Sequence, residues 1–212
     1  EVRKDSDNIN KFIHINNYNQ EYFLLNSNIN RHYSYSPPNV YVNDSRPDND
    51  YTLGSTFYWR NHIQKFDSSG NFITKWDSPT GSGSARDIAI DGTGNIYVAL
   101  TGGNRIQKFD SSGNFITEWG DGSGQEGGDS GFIGPEAVAV DGLGNVYVAN
   151  GSNYHRIQKF DSSGNFITKW GTLGSGDGEF DTARNIAIDE IGNLYIADTS
   201  NSRIQKFDSF GN

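Results

Sequence analysis

Apolar residues fall along this chain in short runs, not in helical stripes. From Ile63 onward, runs of Ile, Val, Tyr, Phe and Trp are parted by Gly, Asp and Asn. β-Branched and aromatic residues bounded by turn formers predict short strands. The runs recur. IQKFDSSGNFITKW begins at Ile63, IQKFDSSGNFITEW at Ile106, IQKFDSSGNFITKW at Ile157 and IQKFDSFGN at Ile204, at spacings of 43, 51 and 47 residues. A second block alternates with the first: DIAIDGTGNIYVA from Asp87, AVAVDGLGNVYVA from Ala137 and NIAIDEIGNLYIA from Asn185. Each unit therefore holds four strands, a to d, and the pattern is that of four-stranded antiparallel repeats.

The turns carry their own mechanism. DxxGN occurs seven times, from Asp67, Asp91, Asp110, Asp141, Asp161, Asp189 and Asp208. An Asp opening the turn accepts backbone N–H bonds, and the Gly three residues on takes positive φ. Such turns join a to b and c to d as hairpins. In strand a, Ile88 and Ile90 share a face and the small Ala89 takes the other, as do Ala139 and Ala187 in the later units. Small residues on an innermost strand suit sheets converging on an axis. Ile63 and Phe66 fall on opposite faces of strand c, so both faces are covered. Trp76, Trp119 and Trp170 close strand d, the outermost position. The predicted fold is all-β: a β-propeller of four-stranded antiparallel blades, about four of them, closed or an incomplete arc of a larger ring.

The motif Ala197-Asp198-Thr199 followed by Arg203-Ile204-Gln205 resembles the NHL repeat, and the resemblance spans about residues 54–212. Ala99-Leu100-Thr101 and Ala149-Asn150-Gly151 lack the Asp found at Asp198, and His62 stands where the other units have Arg105, Arg156 and Arg203. The resemblance implies a propeller that serves as a protein- or RNA-binding platform. Similar propellers also include lactonases and lyases with a metal in the central channel.

Residues 1–53 are Asn-rich and separate from the repeats at 54–212. They read as a divergent blade, with Tyr33-Ser34-Tyr35 as strand a, Asn39-Val40-Tyr41-Val42 as strand b, and 45–58 as a b–c insertion. Phe12 to Ile15 and Tyr22 to Leu25 would form a c–d hairpin before it. An unrelated or disordered arm is the other reading of such a composition. The last unit stops after strand c, so self-association through incomplete terminal blades is expected, an open edge being a template for another chain.

Composition narrows the function. The 212 residues carry a net charge of −9 and 20% charged residues, which opposes nucleic-acid binding through phosphates. No run approaches the ~18 apolar residues of a membrane-spanning helix. Cys is absent, which excludes thiol nucleophiles, disulfides and zinc-finger ligands, and Met is absent even at position 1, which reads as a processed chain or fragment.

The d–a loops, 77–86, 120–135 and 171–184, vary in length and are expected to form the binding face. Asp121, Glu126 and Asp129 lie in one, and Asp177, Glu179 and Asp181 in the next. They suit a basic partner or Ca²⁺, although neither loop has the register of a known calcium loop, and no cofactor is expected. Asp87, Glu136 and Asn185 align at the strand a entrances and are the best enzymatic candidates; no nucleophile is specified. His62 and His155 read as surface or inter-blade residues, since no HxH or HExxH spacing is present. The recurring Arg105, Arg156 and Arg203 read as turn anchors or blade contacts, and Lys65, Lys108, Lys159 and Lys206 as blade-surface decoration. Asn43 and Asn150 open glycosylation sequons, which hint at an extracellular or cell-surface setting. The expected function is a non-enzymatic interaction module for a protein, peptide or glycan. A metal-assisted lactonase- or lyase-like enzyme and a structural subunit of an extracellular assembly are the alternatives.

Overall fold

A computed structural model describes residues 13–16, 21–24, 40–47, 59–67, 69–78, 84–120, 128–151 and 154–212. All the described regular structure is antiparallel sheet. β1 (Ile13–Asn16) pairs with β2 (Glu21–Leu24). β3 (Val40–Pro47), β4 (Trp59–Phe66) and β5 (Phe72–Asp77) form a three-stranded sheet, the first of four successive larger sheets, numbered first to fourth below. β6 (Ala85–Ile90), β7 (Ile96–Leu100), β8 (Arg105–Phe109) and β9 (Phe115–Trp119) make a four-stranded one. So do β10 (Ala137–Val140), β11 (Val146–Asn150), β12 (Arg156–Phe160) and β13 (Phe166–Trp170). β14 (Ala183–Ile188), β15 (Leu194–Asp198) and β16 (Arg203–Phe207) complete the series with three strands. Within each sheet the spatial order is the chain order, as hairpin connections require.

One expectation near the N-terminus changes. The insertion expected from residue 45 starts later, because hairpin pairing continues through Asp44↔His62 to Pro47↔Trp59. The boundary after residue 53 and Tyr33-Ser34-Tyr35 lie outside the described residues.

The DxxGN turns form as their chemistry predicts. At Asp161, Oδ1 accepts from Ser163 N and Asn165 N, both at 2.9 Å, while Asn165 Nδ2 donates to Oδ2 at 2.8 Å. The turn closes with Gly164 at φ 88° and Gly164 N on Asp161 O at 3.1 Å. These bonds hold the Asp161 carboxyl below its ordinary value, the Asn165 side chain contributing most. Asp67 and Asp110 are lowered in the same way, and Asp208 chiefly by the backbone N–H of Asn212. Burial, the largest single influence at Asp91 and Asp189, pushes their carboxyls up, but the turn bonds together outweigh it and hold both below the ordinary value.

Successive sheets stack face to face, and the core lies between them. Ala89, Tyr97, Ala99, Ile106 and Trp119 of the second sheet pack on Phe132, Val138, Val146, Val148 and Phe160, which belong to the third sheet and the loop leading into it. The strand c isoleucines Ile63, Ile106 and Ile157 are completely covered, each such burial contributing about 1.5–3 kcal/mol relative to exposure.

A second set of contacts ties each sheet to its successor at the rim, and it corrects two expectations. The lysines of strand c are not decoration. Lys65 Nζ donates to Ser111 O at 2.8 Å, Lys108 to Ser162 O at 2.8 Å and Lys159 to Ser209 O at 2.9 Å, each reaching the c–d turn of the next sheet. Nor do the tryptophans merely mark a wide outer edge. Trp76, Trp119 and Trp170 lie against Gly113, Gly164 and Gly211 of the following turns, where a Cβ would come within 2.5, 2.7 and 2.7 Å of the indole. Only glycine permits that approach.

Candidate functional site

The ends of strand b and the starts of strand c hold the d–a loops in place. In the third sheet, Asn150 is fully buried; its Oδ1 accepts from Ile133 N at 3.1 Å and its Nδ2 donates to Gln158 Oε1 at 3.2 Å. Gln158 Nε2 donates to Asp129 O at 2.7 Å, and Arg156 Nη2 donates to Gly128 O and Gly131 O at 3.3 Å. In the fourth sheet Asp198 replaces Asn150. Its Oδ1 accepts from Asp181 N at 2.7 Å, and its Oδ2 accepts from Asn201 Nδ2, Arg203 Nε and Gln205 Nε2. Arg203 also donates to Ser175 O, Gly176 O and Glu179 O. Burial, the largest single influence, pushes the Asp198 carboxyl up, but these four donors outweigh it and hold it below its ordinary value. The second sheet has Leu100 at this position, and there Arg105 Nη1 pairs with Glu118 Oε1 at 2.7 Å instead.

Arg156 and Arg203 are thus loop anchors, as one of the two sequence readings had it, while Arg105 pairs within its own sheet. The strand b terminus shares the work, Asn150 and Asp198 holding the same loops and Asp198 bonding Arg203 directly, a role the sequence left unassigned. The Ala-Asp-x-x-x-x-Arg spacing from Ala197 to Arg203 was its visible signal. The Asn150 of the sequon is this same clamp residue, its amide fully buried and bonded through both oxygen and nitrogen. The side chain of Asn43 lies outside the described residues, and so do Asp121 and Glu126.

The remaining loop acids are spread along the rim. Asp177 is fully exposed at the tip of its loop, and its Oδ1 lies 4.0 Å from Arg203 Nη1. Asp129 is exposed and pairs with Lys169 Nζ at 3.0 Å. Glu179 turns inward, Oε2 accepting from Gly176 N at 2.9 Å, and Asp181 Oδ1 accepts from Thr182 Oγ1 at 3.1 Å. His155 is inter-sheet, its Nδ1 accepting from Thr182 N at 3.3 Å. Among the described residues no three His, Cys, Asp or Glu side chains gather as a metal site.

The trio at the strand a entrances does not share one register position. Asp87 pairs with Ala99 and Asn185 with Ala197, but the corresponding residue opposite Ala149 is Ala137. Glu136 stands one residue earlier, level with Arg86 and Arg184. It takes part in a different tie, Oε2 lying 3.0 Å from Arg86 Nε. Asp87 is buried; Oδ1 accepts from Ile88 N and Oδ2 from Val138 N on the next inner strand, both at 2.9 Å. Burial pushes its carboxyl up to about 7 in spite of those two donors. Asn185, which has the same position in the last sheet, is exposed.

Residues 132–211 match a family described as a 6-bladed beta-propeller. Solved structures extend the likeness to most of the described sheets. Streptogramin B lyase aligns over 81% of this chain and 57% of its own, at 16% identity and a TM-score of 0.54. The fold is a β-propeller. A chain of a nidogen/laminin complex aligns over 73% of this propeller and 56% of its own length, at 17% identity and a TM-score of 0.51. A protein of unknown function from Bacteroides thetaiotaomicron aligns over 80% and 56%, at 14% identity and a TM-score of 0.50. The propeller chain therefore spans a little over half the length of these proteins, and at such identities the likeness is one of fold. No curated protein matches the sequence.

Proposed function

We propose that this propeller is a non-enzymatic interaction module of the NHL type that presents its d–a loops to a protein or peptide partner with a basic surface. The observation that carries the reading is the division of labour on the loop face. Backbone groups of the loops are clamped by Asn150, Arg156, Gln158, Asp198, Arg203 and Gln205, while Asp129 and Asp177 project into solvent. Loops fixed at their base lose little entropy on binding, and a chain of charge −9 attracts a cationic partner over long range. The enzymatic alternative has Asp87 in its favour, a buried carboxyl that holds its proton to about pH 7. Both of its oxygens already accept backbone bonds, and Asn185 and Glu136 do not complete a set around it. Binding is therefore the preferred reading.

The test uses a fluorescent oligolysine peptide as the probe. Binding should weaken with salt, and by several-fold in an Asp129→Asn/Asp177→Asn variant. Glu190→Gln removes one charge from an a–b turn on the opposite face and should leave binding nearly unchanged. No binding at low salt, or an equal loss in Glu190→Gln, would refute the assignment of the face.

A further inference from the structure

The loop 171–184 begins and ends at one histidine. Its first residue, Gly171, packs so closely on the backbone of His155 that a Cβ there would come within 2.9 Å of the His155 carbonyl oxygen. Near the loop's end, Thr182 N donates to His155 Nδ1 at 3.3 Å. The loop 120–135 is tied in the same way by Asn104, the residue before strand c of the second sheet. A Cβ on Gly120 would come within 2.5 Å of Asn104 O, and Gly134 N donates to Asn104 Oδ1 at 2.8 Å. The backbone repeats as well: Asn104 and His155 have φ 49° and 47°, while Gly134 and Thr182 have 61° and 62°. The two joints are one device built with different side chains.

The differences bear on pH. An amide oxygen accepts at any pH. Nδ1 of an imidazole accepts only while the ring is neutral with its proton on Nε2; in the imidazolium both nitrogens donate. Histidine is the side chain that ordinarily changes charge between about pH 5 and 8. A second partner stands ready, since Asp181 Oδ1 lies 3.9 Å from the same Nδ1. Thr182 adds strain. Glycine takes a positive φ readily at 134, whereas a β-branched residue in that region must be held there by its surroundings. The Thr182 hydroxyl donates to Asp181 Oδ1 and accepts from Ser200 Oγ, and its carbonyl accepts from Thr199 N, each at 3.1 Å.

The other charged groups described around this joint have partners of their own or lie in solvent. Arg156, next in the chain, lies over the Tyr154 ring and donates to Gly128 O and Gly131 O. Asp198 accepts from Asp181 N and pairs with Arg203. Glu136 pairs with Arg86, and Arg184 is exposed.

We propose that His155 is a pH switch for the loop 171–184. When neutral it holds Thr182 N, and with it the end of the loop. When protonated it releases that N–H and turns to Asp181 Oδ1, and residues 181–182 leave their strained arrangement. The loop 120–135, held by Asn104, does not respond. Asp181 belongs to the acidic loop face, so acidification would also withdraw a carboxylate from a basic partner; that consequence alone rests on the interaction reading above.

Two-dimensional NMR of the full chain from about pH 5 to about pH 8 tests the switch without any partner. The Thr182 amide resonance should move with the same midpoint as the His155 imidazole. Its exchange protection factor should fall about two- to tenfold at the acidic end, as for the loss of one hydrogen bond. His155→Asn copies the Asn104 joint, and Asn tolerates the positive φ found there. In that variant Thr182 should stay protected throughout. Val138, whose N–H bonds to Asp87 at the preceding junction, should behave alike in both proteins. A Thr182 amide that ignores the imidazole midpoint would overturn the proposal, and so would an unchanged pH response in His155→Asn. The first result is read in the parent protein, so it decides even if the variant does not fold. Failure of oligolysine to bind would count against the interaction reading alone.

Discussion

Replacing Gly164 by Ala tests the interlock between blades directly. Two costs add at this position. The residue sits at φ 88°, where an L side chain costs about 1–2 kcal/mol. Its new Cβ would also lie 2.7 Å from the Trp119 ring, so the indole or the turn must shift, at about 1–3 kcal/mol for overpacking. The expected loss is about 2–5 kcal/mol. Gly70→Ala is the internal reference: the same five-residue turn and nearly the same φ of 84°, with no described atom within 4 Å of the new methyl. It should lose only the conformational part, so the two variants should differ by about 1–3 kcal/mol. Urea unfolding followed by tryptophan fluorescence measures both, with the slope of the transition checking that the same cooperative unit unfolds. Equal losses would refute the interlock, because the turns differ in little else.

Lys108→Met should cost about 1–2 kcal/mol in thermal or urea unfolding, since it removes the bond to Ser162 and the contact over Tyr97; Lys206→Met in the monomer should be nearly silent. Asp87 gives a pH signature. Its folded value, near 7, lies above the ordinary 3.8, so the native state binds the extra proton and stability falls as pH rises from about 4 to about 7. The slope is at most about 1.4 kcal/mol per pH unit, and Asp87→Asn should abolish it in equilibrium unfolding measured across that window. The turn aspartates act lower and in the opposite sense. Their carboxyls are lowered, so their contribution is complete above 3.8 and disappears as pH falls below it, which acid titration of Asp161→Ala against the parent would show as a weaker acid-side loss.

Much of the architecture was legible because local chemistry and tertiary packing agree. Asp161, Gly164 and Asn165 specify their turn within five residues, and the alternation in Ile88-Ala89-Ile90 specifies which strand lies innermost. The lysines were misread because a lysine two residues after Ile106 looks the same in sequence whether it ends in water or on the Ser162 carbonyl 54 residues away. The alignment of Glu136 with Asp87 failed for a related reason: the strand a entrance has no turn to fix its phase, so only the pairing with Ala149 shows that Glu136 sits one residue early. The clamping role of Asn150 was not legible because a sequon is defined by neighbours along the chain, whereas its amide is engaged by Ile133 and Gln158.

The lysine that leaves one blade and the turn that receives it on the next have a consequence for how such a chain grows. A duplication of one unit copies a donor at its exit and an acceptor at its entrance together, so the newcomer fits on both sides without any further change. The near-identity of the segments beginning at Ile63, Ile106 and Ile157 is what recent copying under that rule would leave behind. Length in this lineage is then free to drift by whole units, while a change to the lysine alone would leave every later copy with a mismatched seam.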